Sequence, residues 1–368
     1  MALNWQMVSN QLIANARSLR RPISASFELT CRCNLRCKMC YLAEPADNKA
    51  IKEKELTTAQ WIRLAEMARD AGVLFITLTG GEVFLRKDFR EIYETMASMG
   101  FIIQIYTNAT LITPEIAQWL GKTPPLQVSL TVYGASADTY EKVCGNRSGY
   151  ERVINSIGLL SQQGINLELK TTAVKGNWRE FNEIGALARE NGAIFGIVNY
   201  ISPRREGCSS DPLGQRLTPE EILEHDAMRM AYNKANAEIT ASIINDEYDG
   251  EIIPALEEAN KDENSAFYCQ AGKSGLWLAW DGRMTPCGLM SEPAVYPLEI
   301  GMEKAWEQLK EGCRQITVCK ECKECDMKGE CFYCPARLKL ETGCYDRPAP
   351  YLCEIAKLRT NARITSVI

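Results

Sequence analysis

The sequence predicts an α/β protein built on a parallel sheet, followed by a smaller, cysteine-rich region. Six short apolar runs alternate with amphipathic helical patterns between residues 23 and 201. Ten of the sixteen cysteines lie at or after Cys269. Regular alternation of strands and helices favours βαβ units with right-handed crossovers, and hence a parallel sheet. The pattern itself is compatible with an open doubly wound sheet or with a partial barrel.

The elements follow one another in a simple order. An amphipathic segment covers residues 1–22, and the predicted strands cover residues 23–29, 73–79, 101–107, 126–132, 165–174 and 193–201. The stretches between them carry apolar residues at i, i+3 and i+4 spacing and end at glycine, as amphipathic helices do. Thr218, Pro219 and Glu221 form a capping-box helix start. We therefore predict a first domain over 23–215, a helical connector over 216–268 and a metal-rich second domain over 269–368.

Composition excludes several classes of function. The net charge of −5 provides no basic surface for nucleic acid or for an anionic membrane. The sequence shows neither an export signal nor a stretch long enough to span a bilayer, so we expect a cytoplasmic protein. The single histidine, His225, argues against Ser-His-Asp chemistry, and the charged helical pattern around it predicts a surface position.

Three cysteines lie in one short loop after the first predicted strand: Cys33, Cys37 and Cys40. In a reducing compartment, so many thiols indicate metal ligation rather than disulfides. A [4Fe–4S] cluster takes four thiolates, so three leave one iron open to another ligand. Structural zinc is the alternative, but the loop contains no histidine and its nearest spare thiol is Cys31.

Polar groups also follow the next strands. Gly80, Gly81 and Glu82 come directly after the second, where glycines let a ligand approach the backbone and a carboxylate can hold an ammonium group. Asn108 ends the third strand, and Ser129 lies on the fourth. Active sites of parallel α/β folds gather at the C-terminal ends of the strands, so we expect these groups to share one rim with the cysteine loop.

The Cys-x3-Cys-x2-Cys loop and the Gly-Gly-Glu sequence resemble the radical S-adenosylmethionine (SAM) superfamily over residues 23–201. The resemblance implies a partial (β/α)6 barrel and a [4Fe–4S] cluster held by Cys33, Cys37 and Cys40, with SAM on the fourth iron. The reduced cluster would cleave SAM to a 5′-deoxyadenosyl radical that takes hydrogen from the substrate. The resemblance implies that Gly80, Gly81 and Glu82 contact the ammonium group of SAM and that Met39 contacts the adenine. Asn108 and Ser129 would contact the ribose or the carboxylate, for which Lys170 is a further candidate.

The C-terminal cysteines resemble the SPASM extension of members that modify peptides and proteins. The matching pattern is Cys269, Gly282-x4-Cys287, Cys322-x2-Cys325-x5-Cys331-x2-Cys334 and Cys353. The resemblance implies a small Cys-rich α+β domain with one or two auxiliary iron–sulfur clusters. One cluster would be held by Cys322, Cys325, Cys331 and Cys353, and part of another by Cys269, Cys287 and Cys334. A zinc ribbon is the alternative for the four-cysteine run.

Two departures concern the auxiliary clusters. Two residues separate Cys331 from Cys334 where the family pattern usually has three, and the upstream cysteine of many members is absent. The auxiliary cluster of Cys269, Cys287 and Cys334, called the first auxiliary cluster below, therefore either keeps an open position or recruits Cys313, Cys319 or Cys344.

The resemblance implies radical modification of a peptide or protein side chain, by a thioether, a carbon–carbon cross-link or an epimerisation. About 22 residues precede the first strand, so we expect a separate protein or the SPASM surface to bind a leader peptide. The expected reductant is a flavodoxin- or ferredoxin-type protein. Cys208, after the sixth strand, is a candidate hydrogen-atom donor to a substrate radical.

Three other activities remain as alternatives. One is radical dehydrogenation of a small alcohol or sugar. Sulfatase-type oxidation is disfavoured, because Gly288 follows Cys287 where sulfatase-maturing relatives carry an aspartate. A non-catalytic iron–sulfur electron carrier would have no use for Gly-Gly-Glu or for a loop of three cysteines.

Overall fold

The computed structural model describes residues 5–42, 44–204, 211–236, 266–317 and 319–367. The strands of these ranges, in chain order, are β1 (Ser24–Glu28), β2 (Arg32–Cys33), β3 (Glu44–Pro45), β4 (Phe75–Thr79), β5 (Ile102–Thr107), β6 (Gln127–Thr131), β7 (Leu167–Thr172), β8 (Ile194–Val198), β9 (Gly275–Leu278) and β10 (Met284–Thr285). All six predicted strands are confirmed, as β1 and β4 to β8. Each is shorter than predicted, because the apolar runs extend into the connections.

One sheet of eight strands organises the fold, in the order β10-β9-β1-β4-β5-β6-β7-β8. Every neighbouring pair from β9 to β8 is parallel, and only the short β10 runs antiparallel to β9. The parallel (β/α)6 arrangement is therefore confirmed. The sequence did not predict that β9, from the cysteine-rich region, pairs with β1, with Ser24 opposite Gly275. The cysteine-rich region thus extends the sheet of the first predicted domain.

Helices connect the strands and cover one face of the sheet. The α-helices are Trp5–Ser18, Lys49–Lys52, Thr58–Asp70, Phe89–Ser98, Pro114–Lys122, Ala137–Cys144, Gly149–Gln162, Phe181–Glu190, Pro212–Gln215, Pro219–Ala235, Pro297–Ile300, Met302–Arg314, Lys320–Lys323, Pro335–Thr342 and Pro350–Val367. Short 3-10 turns lie at Val83–Leu85, Trp178–Glu180 and Lys328–Glu330. The predicted capping box is confirmed, since Thr218 and Glu221 bond reciprocally. Within the described part of the chain, no helix has both the length and the hydrophobicity required to cross a lipid bilayer.

The strands present different residues to their two faces. Apolar side chains such as Ile76, Leu78 and Ile105 pack with Trp61 and Leu64 in the main core. Fully burying each such side chain contributes about 1.5–3 kcal/mol. Side chains alternate along a strand, so polar residues of the same strands point away from these helices. That second face carries the polar groups of the candidate site.

The helix Pro219–Ala235 packs against the C-terminal helix Pro350–Val367 and buries His225 completely. The His225 ring meets Phe181 edge-on at 5.3 Å, and its Nδ1 lies 3.2 Å from Asn199 Nδ2. The predicted surface position of His225 was therefore wrong. The charged residues around His225 suggested contact with solvent. One of them, the neighbouring Asp226, instead forms a 2.7 Å ion pair with Arg359 of the C-terminal helix, so it is covered by protein as well.

Candidate active site

The end of a helix holds the cysteine loop in place. The loop leaves the sheet through β2, and pairing of β2 with β3 closes it. The backbone N–H groups of Arg36 and Lys38 donate, both at 3.1 Å, to the carbonyls of Cys144 and Val143. These carbonyls belong to the last turn of the helix Ala137–Cys144, where main-chain acceptors lack helical partners.

Asn108 connects the end of β5 to this loop. Its Nδ2 lies 3.5 Å from Cys33 Sγ and donates to Asn34 Oδ1 at 2.9 Å, while its Oδ1 accepts from the Thr110 N–H at 3.0 Å. The N–H of Leu35 also donates to Cys33 Sγ, at 3.4 Å. Donors aimed at sulfur stabilise a thiolate, the form that binds iron. In this arrangement Asn108 positions the loop, and its expected contact with SAM stays a prediction.

The glycines of Gly-Gly-Glu accommodate the chain's own backbone. The Gly81 N–H donates to Thr30 O at 2.7 Å, and the Glu82 N–H donates to Arg32 O at 3.0 Å. A Cβ on Gly80 would lie 2.3 Å from Thr30 O, and one on Gly81 would lie 2.3 Å from Arg32 O. Gly80 also has a φ of +145°, which favours glycine. Both glycines therefore allow close packing against the segment that enters the cysteine loop.

The Glu82 carboxylate lies behind the loop and is almost fully buried. It accepts hydrogen bonds from Thr107 Oγ1 at 2.7 Å, from the Asn108 N–H at 2.7 Å and from the Phe84 N–H at 3.1 Å. Burial raises the pKa of Glu82 to about 7 against the lowering effect of these bonds. A carboxylate has four acceptor positions, so one is left for an ammonium group. A bound ammonium would also favour the ionised form.

The other thiols near the loop differ in their surroundings. Cys37 is buried, and its thiol forms a hydrogen bond with the thiol of Cys144. This hydrogen bond, together with burial, raises the pKa of Cys37. Cys31 is also buried, and burial together with nearby carboxylates raises the pKa of its thiol. Cys31 and Cys144 are thus small buried residues. Met39, inside the loop, is buried and packs in the main core.

The second face of the sheet carries a polar network on β5, β6 and β7. Ser129 hydrogen bonds to the carboxylate of Glu168 and accepts from Gln104 Nε2 at 3.0 Å. Lys170 Nζ lies 3.3 Å from Glu168 Oε2 and donates to the Tyr106 hydroxyl at 2.7 Å. Sequence reasoning selected Ser129 and Lys170 and missed Gln104, Tyr106 and Glu168. Their alternation with buried apolar residues along β5 and β7 was the available signal.

The C-terminal cysteines gather in two groups. In the first, burial and the nearby Cys334 and Cys269 raise the pKa of Cys287 to about 12. In the second, burial and the nearby Cys353 and Cys325 raise the pKa of Cys331 to about 11. The residues expected to share each auxiliary cluster therefore lie together.

Burial raises the pKa of the Cys322 thiol, and the nearby Cys319, Cys353 and Cys331 add to this effect, so Cys322 belongs to the second group. Cys208 lies outside the described residues, and its expected role stays a prediction.

These thiols fit iron–sulfur clusters by the chemistry of the donors. In the ranges that the structure describes, no three Cys, His, Asp or Glu side chains converge on a position for one metal ion. A [4Fe–4S] cluster makes a different demand, since each of its thiolates binds a separate iron. The loop offers three thiols, which would leave one iron of a cluster open to another ligand. The second C-terminal group offers four thiols, one for each iron. The ligand assignments themselves stay predictions.

A loop of three thiols thus lies beside the ends of parallel strands, an arrangement that fits an iron–sulfur protein of the α/β class. Residues 27–189 match the sequence profile of the radical SAM superfamily. This part of the chain is a radical SAM domain, of a family that uses a [4Fe–4S] cluster, and the protein is a SAM-dependent radical enzyme.

Similar proteins share more of the chain than this domain. An AdoMet-dependent heme synthase of Methanosarcina barkeri is 27% identical over 339 residues, covering 90% of this chain and 96% of that protein. The sporulation killing factor maturation protein SkfB of Bacillus subtilis is 27% identical over 76% of this chain, which spans 64% of SkfB. Streptococcus suis SuiB, solved with SAM and with the precursor peptide SuiA, gives TM-scores of 0.70 and 0.69 at 17% and 18% identity. These two matches cover 96% of this chain and 84% and 82% of SuiB, and they show a common fold.

Proposed function

We propose that this enzyme is a peptide maturase, which uses the radical SAM reaction to modify a side chain of a peptide or protein. The observation that carries the proposal is the pairing of β9 with β1. It attaches the segment between Cys269 and Cys287, two members of the first C-terminal thiol group, directly to the sheet of the radical SAM domain. A maturation protein among the relatives and a precursor peptide bound to SuiB support the same substrate class.

When bound, the reduced cluster and SAM supply a 5′-deoxyadenosyl radical that takes hydrogen from the substrate. The chain's own residues orient and bind. Asn108 fixes the loop at Cys33, and Glu82 keeps one acceptor position for the SAM ammonium group. Ser129 already donates its hydroxyl hydrogen to Glu168, so it offers SAM an acceptor, which suits a ribose hydroxyl better than a carboxylate. Lys170 places a cation on this face, held between Tyr106 and Glu168.

The surroundings of Gly288 argue against formylglycine formation. A Cβ at this position would lie 2.9 Å from the Trp277 ring, so an aspartate would require the ring to move. Trp277 is in turn held by its Nε1, which donates to Glu28 Oε2 at 3.0 Å. The geometry therefore also disfavours sulfatase-type oxidation, as the sequence does.

The partners and the location are part of the proposal. A separate protein or the cysteine-rich surface would hold the leader of the substrate, and a flavodoxin- or ferredoxin-type protein would supply electrons. The abundance of thiols suits the cytoplasm, where cysteines stay reduced. The domain division at residues 215 and 268 also remains a proposal, in which β9 and β10 belong to the SPASM part but complete the first sheet.

One observation favours a second candidate, SAM-dependent heme synthesis. The M. barkeri heme synthase matches this chain over almost its whole length, whereas SkfB matches over about two thirds of its own. A heme precursor and a peptide would both have to reach the same polar face of the sheet. The two functions therefore differ in substrate and not in the initial radical.

Anaerobic incubation with SAM, a reductant and peptides encoded near the gene tests the proposal, with mass spectrometry of the peptide as the readout. Loss of two hydrogens indicates a cross-link, and solvent-deuterium uptake with no other change of mass indicates epimerisation. The Cys33→Ala, Cys37→Ala, Cys40→Ala variant is the control without SAM cleavage. Turnover of a heme precursor, with every peptide left unchanged, would replace the proposal by the second candidate.

A further inference from the structure

We infer that Cys313 is the fourth protein ligand of the auxiliary cluster held by Cys269, Cys287 and Cys334. The inference rests on the auxiliary clusters and is independent of the substrate. The sequence places no cysteine at residues 261–265, before Cys269, where many relatives supply the fourth thiolate. Three cysteines stayed open as substitutes, Cys313, Cys319 and Cys344, and the structure places them in different surroundings.

The burial of Cys313 is the first observation. Cys313 lies in the last turn of the helix Met302–Arg314 and is 7% exposed. It belongs to a small apolar cluster, on which the half-buried Cys287 and Cys334 pack. The other members of this cluster are Ala266, Phe267, Ala271, Met290, Ile316 and Ala336. Cys313 therefore shares one apolar enclosure with two of the three expected ligands.

The turn that follows Cys269 provides the second observation. The N–H groups of Lys273, Ser274 and Gly275 all donate to Gln270 O, at 2.9–3.0 Å, which makes the turn tight. Gly272, inside it, has a φ of +64°, and a Cβ there would lie 2.5 Å from Cys313 Sγ. The Cys313 thiol thus lies directly against the turn that begins at Cys269, in the space that a larger residue at 272 would fill.

The two other candidates are not members of this apolar cluster. Cys319 is fully buried in a different apolar cluster, on which Cys322 and Cys331 of the second thiol group pack. Cys344 lies in a turn, where its N–H donates to Thr342 Oγ1 at 3.2 Å and its carbonyl accepts from the same hydroxyl at 3.1 Å. Cys344 is a member of neither cluster. Of the three substitutes, Cys313 alone is a member of the apolar cluster on which Cys287 and Cys334 pack.

A fourth thiolate changes what this cluster can do. With Cys313 bound, each iron has a protein thiolate, so none is open to a thiolate or carboxylate of the substrate. The cluster is then suited to electron transfer and to stabilising the fold. The open-site alternative is thereby disfavoured.

The test uses the Cys33→Ala, Cys37→Ala, Cys40→Ala background, in which only auxiliary clusters remain. Cys313→Val keeps an apolar side chain of similar size in the buried position, and Cys344→Val and Cys319→Val are matched controls. Iron and sulfide per chain and the electron paramagnetic resonance (EPR) spectrum of anaerobically prepared protein are measured. We expect Cys313→Val to lower auxiliary iron by about half, the content of one of two [4Fe–4S] clusters, and both controls to retain it.

A second variant separates ligation from packing. Serine is a weaker ligand of nearly the same size, so Cys313→Ser should retain iron and shift the EPR signal of one cluster. Full iron and an unchanged spectrum in both Cys313 variants would overturn the inference and restore the open site. Loss of the first auxiliary cluster in Cys344→Val or Cys319→Val would assign the ligand to that residue instead. Because this background cannot cleave SAM, none of these outcomes depends on the substrate.

Discussion

Asn108 Nδ2 lies 3.5 Å from Cys33 Sγ, and the same amide donates to Asn34 Oδ1 at 2.9 Å. One side chain at the end of β5 thus fixes the start of a loop that follows β1. β4 lies between these two strands in the sheet, so the contact spans the edge at which the strands end. Together with Glu82, which accepts from the Asn108 N–H, it connects the cysteine loop to the ends of β4 and β5.

Removing the Asn108 amide should therefore destabilise the protein. Asn108→Ala removes a hydrogen-bond partner from the half-buried Asn34 and from the buried N–H of Thr110, which costs about 1–3 kcal/mol. Anaerobic denaturant unfolding measures the change. Asn166→Ala, which removes an exposed 3.2 Å bond to Leu126 O, is the control and should cost less than about 0.5 kcal/mol. Equal effects of the two substitutions would contradict the positioning role.

The loop thiols should be required for SAM cleavage. In the Cys33→Ala, Cys37→Ala, Cys40→Ala variant, release of 5′-deoxyadenosine by reduced protein should stop, because the iron that binds SAM has lost its thiolates. Chromatography of the quenched reaction measures the product. Cys31→Ala is the matched control and should retain cleavage, because this buried thiol lies outside the ligand set. Continued release by the triple variant would mean that the site is elsewhere.

Metal content should distinguish iron–sulfur clusters from zinc at the C-terminal cysteines. Anaerobically prepared protein should contain more iron than the four atoms of one [4Fe–4S] cluster, and the triple loop variant should keep the excess. Elemental analysis with sulfide determination measures both quantities. Zinc in place of that excess would contradict the SPASM assignment and favour a zinc ribbon.

His225 should make folding stability depend on pH. Burial lowers the pKa of His225 to about 4, against the raising effect of Asp226 and aided by Arg229, while the unfolded value is 6.5. Between pH 4 and 6.5 the unfolded state binds the additional proton, so stability rises with pH in this window and falls on acidification. The full difference amounts to about 3 kcal/mol.

The variant His225→Phe isolates this effect, because phenylalanine preserves the edge-on packing against Phe181 without a titrating group. Free energies of unfolding are compared at pH 4.5 and 7 in both proteins. The wild type should lose more stability on acidification than the variant, and subtraction removes the opposite contribution of Glu82, whose pKa is raised. Parallel pH profiles would show that His225 is not the source.

Much of the site was predictable because its determinants are local. The period of the apolar residues defined each strand and helix, and the alternation of these elements made the sheet parallel. A parallel sheet brings the C-terminal ends of its strands to one edge. The positions of Cys33, Glu82 and Asn108 at that edge therefore followed from the sequence, as the contacts among them confirm.

Tertiary structure decided the features that depend on contacts between distant segments. The pairing of β9 with β1 joins residues about 250 positions apart, and Arg359 neutralises Asp226 beside the buried His225 across 133 positions. The assignment of Cys313 and Cys319 to different thiol groups likewise depends on which apolar cluster encloses each side chain. Spacing indicates that a cysteine lies within reach of a cluster. The packing of helices and turns around a cysteine determines which cluster that cysteine reaches, because a buried thiol contacts only the groups that share its enclosure.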